Sequence, residues 1–300
     1  AGANDFGRLG RIAAGQGFVW EGEEYLPAGG IGVLAGGVAS DGFYATTLGR
    51  FDLKRFGPAA ETDWAPQRAA TDVQPTGAVV RFDDFEALVP AGLEVAGTYA
   101  VSESGGVGAL GAVLTVVNRG GASRSDVTVG LLADWDFAGG ERVRWVPADE
   151  ALIAEAISGT GSEPVLVLAA DTTVRAGLEL PLGTPGTGSF YEPGSGVLAD
   201  SLGEAVKLDL LRGAGAGSLP GAGSALDNAA LLAVGPFDVA AGASVAVRFW
   251  LLAAPDEAAA RARLAELRAE DAPPPPGRGD AFRALPPYPN PFRPGEGVVR

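Results

Sequence analysis

Short apolar stretches, separated by Gly and Pro, run through residues 1–253 of the chain. Several of them alternate apolar with polar positions, as in 126–132, and 79–82 and 92–101 supply further short strands. Period-2 alternation over such lengths, bounded by turn residues, is typical of β-strands with one buried face. The pattern therefore predicts an all-β fold, a large antiparallel β-sandwich of which a super-sandwich is one form.

Three strand–turn–strand units stand out in this region. In the first, 113–117 and 126–132 flank the turn residues 118–121, and we interpret it as a hairpin. By the same logic 165–169 and 172–180 return across Asp171. In the third unit, 237–239 and 245–252 flank a turn at 240–242.

One helix is predicted over residues 257–270. Asp256 is placed to cap its N-terminus, and the segment is rich in the helix formers Ala, Leu, Arg and Glu. Ala260, Leu264 and Leu267 share one face. Glu257 and Arg261, and Arg263 and Glu266, stand at helical pairing distances.

Two further segments bear on the division of the chain. Residues 149–157 fit either a short helix or a strand. Pro273–Pro276 would stop the helix and form an extended spacer. We expect a sandwich domain at 1–253, a helix on or beside it at 254–271, a Pro-rich linker at 272–284 and the start of a further module at 285–300.

Composition excludes several classes of function. With 22 basic against 37 acidic residues the formal charge is −15, the opposite of a nucleic-acid-binding surface. No apolar run approaches the ~20 residues of a membrane span, so no membrane insertion is expected. Cys and His are absent, which removes thiol nucleophiles, Ser-His-Asp triads and Cys or His metal ligands. We expect no enzyme within these residues and no required cofactor.

Carboxylates are the remaining candidates for chemistry. Asp134 and Asp136 flank Trp135 at the end of an apolar strand, where residues two apart share a face and can meet one Ca²⁺. The alternative is that both carboxylates cap the strand while Trp135 lies in the core. A second acidic cluster at 83–86 is interpreted as a solvated turn. Carbohydrate binding through exposed aromatic residues stays open, although the five Trp residues are dispersed.

Two short patterns indicate candidate O-glycosylation sites. Thr172 follows Asp171, and Ser201 lies in Asp200-Ser201-Leu202. Both come close to the Asp-Ser/Thr-apolar signal of exported Bacteroidota proteins. A three-residue pattern also occurs by chance.

The C-terminal tail carries the most specific motif, Tyr288-Pro289-Asn290-Pro291-Phe292, with Pro294 following. It resembles the opening of the type IX secretion C-terminal sorting domain, a small immunoglobulin-like sandwich recognised by the export machinery of Bacteroidota. The resemblance implies a secreted or cell-surface protein that meets the secretion machinery through this segment. The first strand of that domain would begin at Val298-Val299, and the remainder of the domain is missing from these residues.

The body is similar to β domains that follow subtilisin-like proteases in exported proteins. The similarity lies in residues 131–137 and in 234–239 with the apolar strand after them. It brings no catalytic residue to this chain.

We therefore expect a non-catalytic structural or assembly protein whose partners are other copies of itself or cell-surface components. An extracellular polymer held by the C-terminal tail is one form of this role. The alternatives are an ancillary β domain of a secreted subtilisin-like hydrolase and a glycan-binding module.

Overall fold

The structure is a computed structural model. It describes residues 2–3, 8–10, 18–26, 28–41, 57–58, 77–83, 91–157, 161, 163–171, 174–181, 211–213, 217–218 and 228–271. The strands of the N-terminal half are β1 (Gly2–Ala3), β2 (Arg8–Gly10), β3 (Val19–Trp20), β4 (Glu23–Glu24), β5 (Ala28–Ala35), β6 (Val38–Asp41), β7 (Gly57–Pro58), β8 (Gly77–Asp83), β9 (Leu93–Ser104), β10 (Val107–Asn118), β11 (Arg124–Asp134) and β12 (Glu141–Val146). Those that follow are β13 (Ala151–Ala156), β14 (Val165–Ala170), β15 (Val174–Pro181), β16 (Gly217–Ser218), β17 (Asn228–Val239) and β18 (Ser244–Ala254), before helix α1 (Glu257–Asp271).

Two eight-stranded sheets form the body of the described chain. Sheet 1 has the order β1-β2-β5-β11-β17-β15-β16, with β6 also paired to β5. Sheet 2 has the order β12-β13-β14-β18-β10-β9-β8-β7. All described pairings are antiparallel except the short one between β15 and β16. The predicted all-β, antiparallel sandwich with a C-terminal helix is confirmed.

None of the three strand–turn–strand units is a hairpin, so the hairpin interpretation given to the first two is wrong. In each unit the first strand belongs to one sheet and the second to the other: β10 and β11, β14 and β15, β17 and β18. Each connection is therefore a β-arch, which turns the chain from one layer to the next. The strands on both sides have apolar inner faces, so crossing the layers buries both faces in the same core.

A true hairpin joins β9 to β10. Ser104 pairs with Val107 across Gly105-Gly106, whose φ values are +61° and +76°. Two consecutive residues with positive φ form the type I′ turn that matches the twist of the strands, and Gly adopts this conformation without strain. The hairpin continues the sheet for the full length of both strands.

The main core lies between the two sheets. Its members alternate along each strand and come from both layers, as shown by Leu131 and Leu232 of sheet 1 and Leu114 and Phe249 of sheet 2. All four are fully buried. Burying a side chain of this size contributes about 1.5–3 kcal/mol, so this layer supplies most of the stability.

Helix α1 covers the outer face of sheet 2. Ala260, Leu264 and Leu267 pack against a second apolar cluster that includes Trp250 and Ile153. Both faces of the central strands of sheet 2 are thus buried, and the fold has three layers on this side. The Asp256 side chain accepts a hydrogen bond from the Ala259 amide at 2.8 Å, which confirms its capping role.

The segment left open between helix and strand resolves into strand β13, preceded by a 3₁₀ turn at Pro147–Asp149. Ala151, Leu152, Ile153 and Ala154 are all buried. A short apolar run buried on both faces has no period-2 signal. This is why its sequence fits a strand and a helix equally well.

Candidate functional site

The Asp134-Trp135-Asp136 segment lies where β11 leaves sheet 1. Trp135 is 1% exposed, and its ring meets that of Phe18 edge to face with centroids 6.2 Å apart. An edge-to-face pair of this kind adds stability beyond the area that it buries. Trp135 therefore belongs to the core, as one of the two interpretations predicts.

The two carboxylates that flank Trp135 have different surroundings. Asp134 is the last residue of β11, is 6% exposed and pairs in register with Ala28 and Ala229 of the neighbouring strands. Asp136 is exposed, and its amide donates a hydrogen bond to the Tyr25 carbonyl oxygen at 3.1 Å. The strand ends before Asp136, so strand alternation no longer places the two side chains on one face.

Negative charge surrounds this end of the sandwich. Burial raises the pKa of Tyr25, and the charges of Glu163, Glu23 and Glu21 raise it further. The Tyr25 ring lies 5.2 Å from that of Phe137, centroid to centroid. The phenol is thus kept neutral beside an acidic surface.

A Ca²⁺ ion takes about 6–8 oxygen ligands. Across the ranges that the structure describes, no group of three or more acidic side chains is placed to hold a metal ion. An ion at Asp134 and Asp136 would need most of its ligands from water or from other residues. The calcium site stays a prediction, with two carboxylates of unequal exposure as its known part.

The other predicted site residues divide between described and undescribed parts of the chain. Asp83 ends β8 and is 7% exposed, so it is not the solvated turn residue that the sequence suggested. Residues 84–86 lie outside the described residues, as do Thr172, Ser201 and the tail motif Tyr288-Pro289-Asn290-Pro291-Phe292.

Sequence reasoning missed the polar centre of the arches, Asn118. Its side-chain amide donates to the carbonyl oxygens of Val239 at 3.0 Å, Ala122 at 2.8 Å and Ala240 at 3.2 Å. Its side-chain oxygen accepts from the Gly120 amide at 3.0 Å. One fully buried residue thus holds two arches together, β10–β11 and β17–β18.

A second network joins helix α1 to the edge of sheet 2. Arg144 donates to Glu155 at 3.3 Å and also to Glu257. Arg261 pairs with Glu257 at 2.7 Å, as its helical spacing predicts, and with Asp149 at 3.2 Å. The hydrogen bond from Arg144 lowers the pKa of Glu257. The contacts from Arg144 and Asp149 join segments distant in sequence, so no local pattern could have indicated them.

No protein-family profile matches the chain, and no curated protein is similar to it in sequence. Among the described helices, none has the length and apolar character needed to cross a bilayer. The geometry of the described residues therefore carries the functional argument.

Proposed function

We propose that this chain is a non-catalytic structural protein of the cell surface or extracellular space, a subunit of an assembly held through its C-terminal tail. The observation that carries this proposal is that three polar side chains hold the elements of the scaffold together. Asn118 joins two arches, Asp171 holds a third, and Arg144 holds the helix. Each of these side chains stabilises the scaffold.

The root of the tail supports the same role. The Arg268 guanidinium donates to the Ala170 carbonyl oxygen at 2.8 Å in the last turns of α1. Together with the apolar packing of Leu264 and Leu267, this contact fixes the helix end on sheet 2. The linker at 272–284 is thus attached to the scaffold at a fixed point, and its length sets the local concentration of the tail motif near the sheet.

The motif at 288–292 supplies the means of contact in this proposal. Its aromatic residues Tyr288 and Phe292 stand among Pro residues that favour an extended chain. Extended segments bind by adding to a sheet edge or by placing side chains in pockets. The same motif directs the chain to type IX secretion, which accounts for an extracellular location.

The glycan-binding alternative needs an exposed aromatic platform. Trp135 and Trp250 are 1% and 2% exposed, while Trp20 and Trp145 pack against the main core. Trp64 lies outside the described residues. The described Trp residues thus favour the structural role. The ancillary-domain alternative differs from it in requiring a catalytic partner rather than further copies of the chain.

Sedimentation velocity and electron microscopy of the full chain over a range of concentrations test the proposal. We expect concentration-dependent assemblies, which the deletion of residues 277–300 abolishes while leaving a folded monomer. A matched control replaces Tyr288 and Phe292 by Ser and keeps the length of the tail; it should also fail to assemble. A full chain that stays monomeric, and whose melting temperature falls on deletion, would show an intramolecular clasp and contradict the assembly role.

A further inference from the structure

A cluster of three arginines includes two, Arg124 and Arg212, that lie beside the turn between β5 and β6, and a third, Arg175, that contacts Arg212. Gly36 and Gly37 form this turn with φ values of +57° and +83°. Nη1 of Arg124 lies 3.9 Å from where a Cβ would stand on Gly36, and Nη2 of Arg212 lies 3.8 Å from the same position on Gly37. The two guanidinium groups therefore flank one exposed turn that has no side chains of its own.

The third arginine of this cluster, Arg175, already has its partners. It donates to Asp126 at 2.7 Å, to the Thr128 hydroxyl at 2.6 Å and to the Arg212 carbonyl oxygen at 2.7 Å. The other oxygen of Asp126 is 3.8 Å from Nε of Arg212, too far for a hydrogen bond. The Asp126 carboxylate thus lies beside two of the three guanidinium groups, in a chain of formal charge −15.

Arg124 is the anomaly within this cluster. It is half-buried, and its Nε is buried without a hydrogen-bond partner. Nη2 stands 2.9 Å from where a Cβ on Gly92 would be and 3.8 Å from the same position on Gly120. Within the part of the chain that the structure describes, no carboxylate pairs with it. A buried N–H donor without a partner lowers stability, and an oxyanion beside the guanidinium would offset part of this cost by pairing with its charge.

We propose that Arg124 and Arg212 bind a single oxyanion, of carboxylate or phosphate chemistry, over the Gly36-Gly37 turn. The planar guanidinium presents paired N–H donors that match both groups. The absence of side chains at Gly36, Gly92 and Gly120 gives the Arg124 guanidinium room to lie beside the turn. A polyanion such as nucleic acid is disfavoured, because the acidic remainder of the surface repels it. The occupant is therefore a small anion or one acidic group of a partner.

Calorimetric titration of the full chain with inorganic phosphate and, separately, with acetate tests this site. Sodium chloride at equal ionic strength controls for general salt effects. We expect saturable binding of at least one of the two anions, and a melting temperature that rises with its concentration by mass action. Binding of acetate identifies a carboxylate occupant, and binding of phosphate alone identifies a phosphate occupant.

The matched variants are Arg124→Gln and Arg142→Gln. Arg142 is an exposed arginine of β12 outside the cluster, so its loss removes the same charge and should leave binding intact. Arg124→Gln should weaken binding by about tenfold or more, as loss of a charge-assisted bidentate contact does. Arg124→Lys keeps the charge but not the paired donors. Its affinity for the anion should therefore lie between that of Arg124→Gln and that of Arg142→Gln.

Binding of neither anion above chloride, or equal binding by both Gln variants, would overturn the proposal. Arg124→Met keeps an unbranched apolar stem and guards against misfolding as an explanation. In buffer free of phosphate and carboxylate its melting temperature should equal or exceed that of the parent chain. A lower value would mean that the guanidinium serves the fold, and would also overturn the proposal.

Discussion

Trp145 and Gly177 face each other across the sandwich so closely that a Cβ on Gly177 would stand 2.3 Å from Cε3 of the indole ring. Trp145 belongs to β12 at one end of sheet 2, and Gly177 belongs to β15 in sheet 1. Real Cβ atoms do not come this close to backbone or ring atoms. The missing side chain of Gly177 therefore lets the indole close this edge of the sandwich.

Replacing Gly177 by Ala should overpack this edge and lower the free energy of unfolding by about 1–3 kcal/mol. Trp145→Leu in the same chain should recover part of the loss, so the double variant should lose less stability than the sum of the single ones. Gly121, with open space around it, is the matched control, and Gly121→Ala should leave denaturant unfolding unchanged. If the double variant lost as much stability as the two single variants together, the contact between Trp145 and Gly177 would be contradicted.

Asn118→Ala should cost about 3 kcal/mol, because it leaves the buried Val239 carbonyl oxygen without its donor and removes the contacts to both arches. Denaturant unfolding measures the change. Asn118→Asp keeps the shape of the side chain and the acceptor for the Gly120 amide, but it cannot donate to the carbonyl oxygens. Its loss of stability should therefore be at least as large as that of Asn118→Ala. Ser123→Ala, an exposed change in the same arch, should shift stability by less than about 0.5 kcal/mol. A neutral Asn118→Ala would show that the arches do not depend on this residue.

Replacing both Leu264 and Leu267 by Asp should detach helix α1 from sheet 2 and cost about 2–5 kcal/mol or more. The two leucines are 3% and 8% exposed, and the cluster beneath them would become open to water. Helical circular dichroism and thermal unfolding together follow the change. Ala265→Asp, on the exposed face of the same helix, is the control. An unchanged melting temperature in the double variant would place the helix outside the cooperative fold.

Glu257 should make stability sensitive to acid. The hydrogen bond from Arg144 lowers its pKa below the ordinary value of 4.5. The ionised form is thus favoured in the folded state, and the stability that it contributes is present above about pH 4.5 and lost as pH falls through the lower, folded pKa. Melting temperatures from neutral to acid pH should therefore fall more steeply in the parent chain than in Glu257→Gln. The reference is Glu103→Gln, which removes an exposed carboxylate at the β9–β10 hairpin. If melting temperature fell equally steeply with pH in the parent chain and in Glu257→Gln, the role of the Arg144–Glu257 pair would be contradicted.

Tyr99 should have the opposite effect at alkaline pH. Burial raises its pKa above the ordinary 10.0, since the phenolate would lie in an apolar core. The unfolded chain ionises above about pH 10 while the folded chain does not, so stability is complete below that pH and falls as pH rises. Tyr99→Phe should lose stability more slowly above about pH 10. Tyrosinate absorbance should rise together with unfolding, and an ionisation of Tyr99 that precedes unfolding would contradict its burial.

Much of the fold could be predicted from the sequence because strand and helix periods are local properties. Helix α1 begins at the predicted residue and extends one residue further, to Asp271. The pairing of strands is not a local property. The same alternation that predicts strands at 113–117 and 126–132 fits a hairpin and an arch equally, and only the demand to bury both inner faces decides between them.

In the candidate site, too, the sequence predicts local features but not contacts between distant segments. Trp135 could be placed in the core from its position in an apolar strand. The unequal exposure of Asp134 and Asp136 could not, because it depends on where β11 ends against β5 and β17. The sequence predicts that Asn118 opens a turn, and its side-chain oxygen does accept a hydrogen bond from the Gly120 amide. Its bond to Val239 spans 121 positions in sequence, which no spacing rule indicates.

The arches also determine how the chain can reach this structure. The chain crosses from one layer to the other at each arch, so neither sheet is a continuous piece of chain and no single cut yields a fragment containing one whole sheet alone. The pairs at the centre of the sheets, β5 with β11, β11 with β17 and β10 with β18, join strands that are distant in sequence. Such pairs raise the contact order and slow folding to about milliseconds to seconds. The β9–β10 hairpin is one of the local pairs, since Gly105-Gly106 brings its two long strands together directly. We expect it to serve as a nucleus on which β18, and then β14, can add.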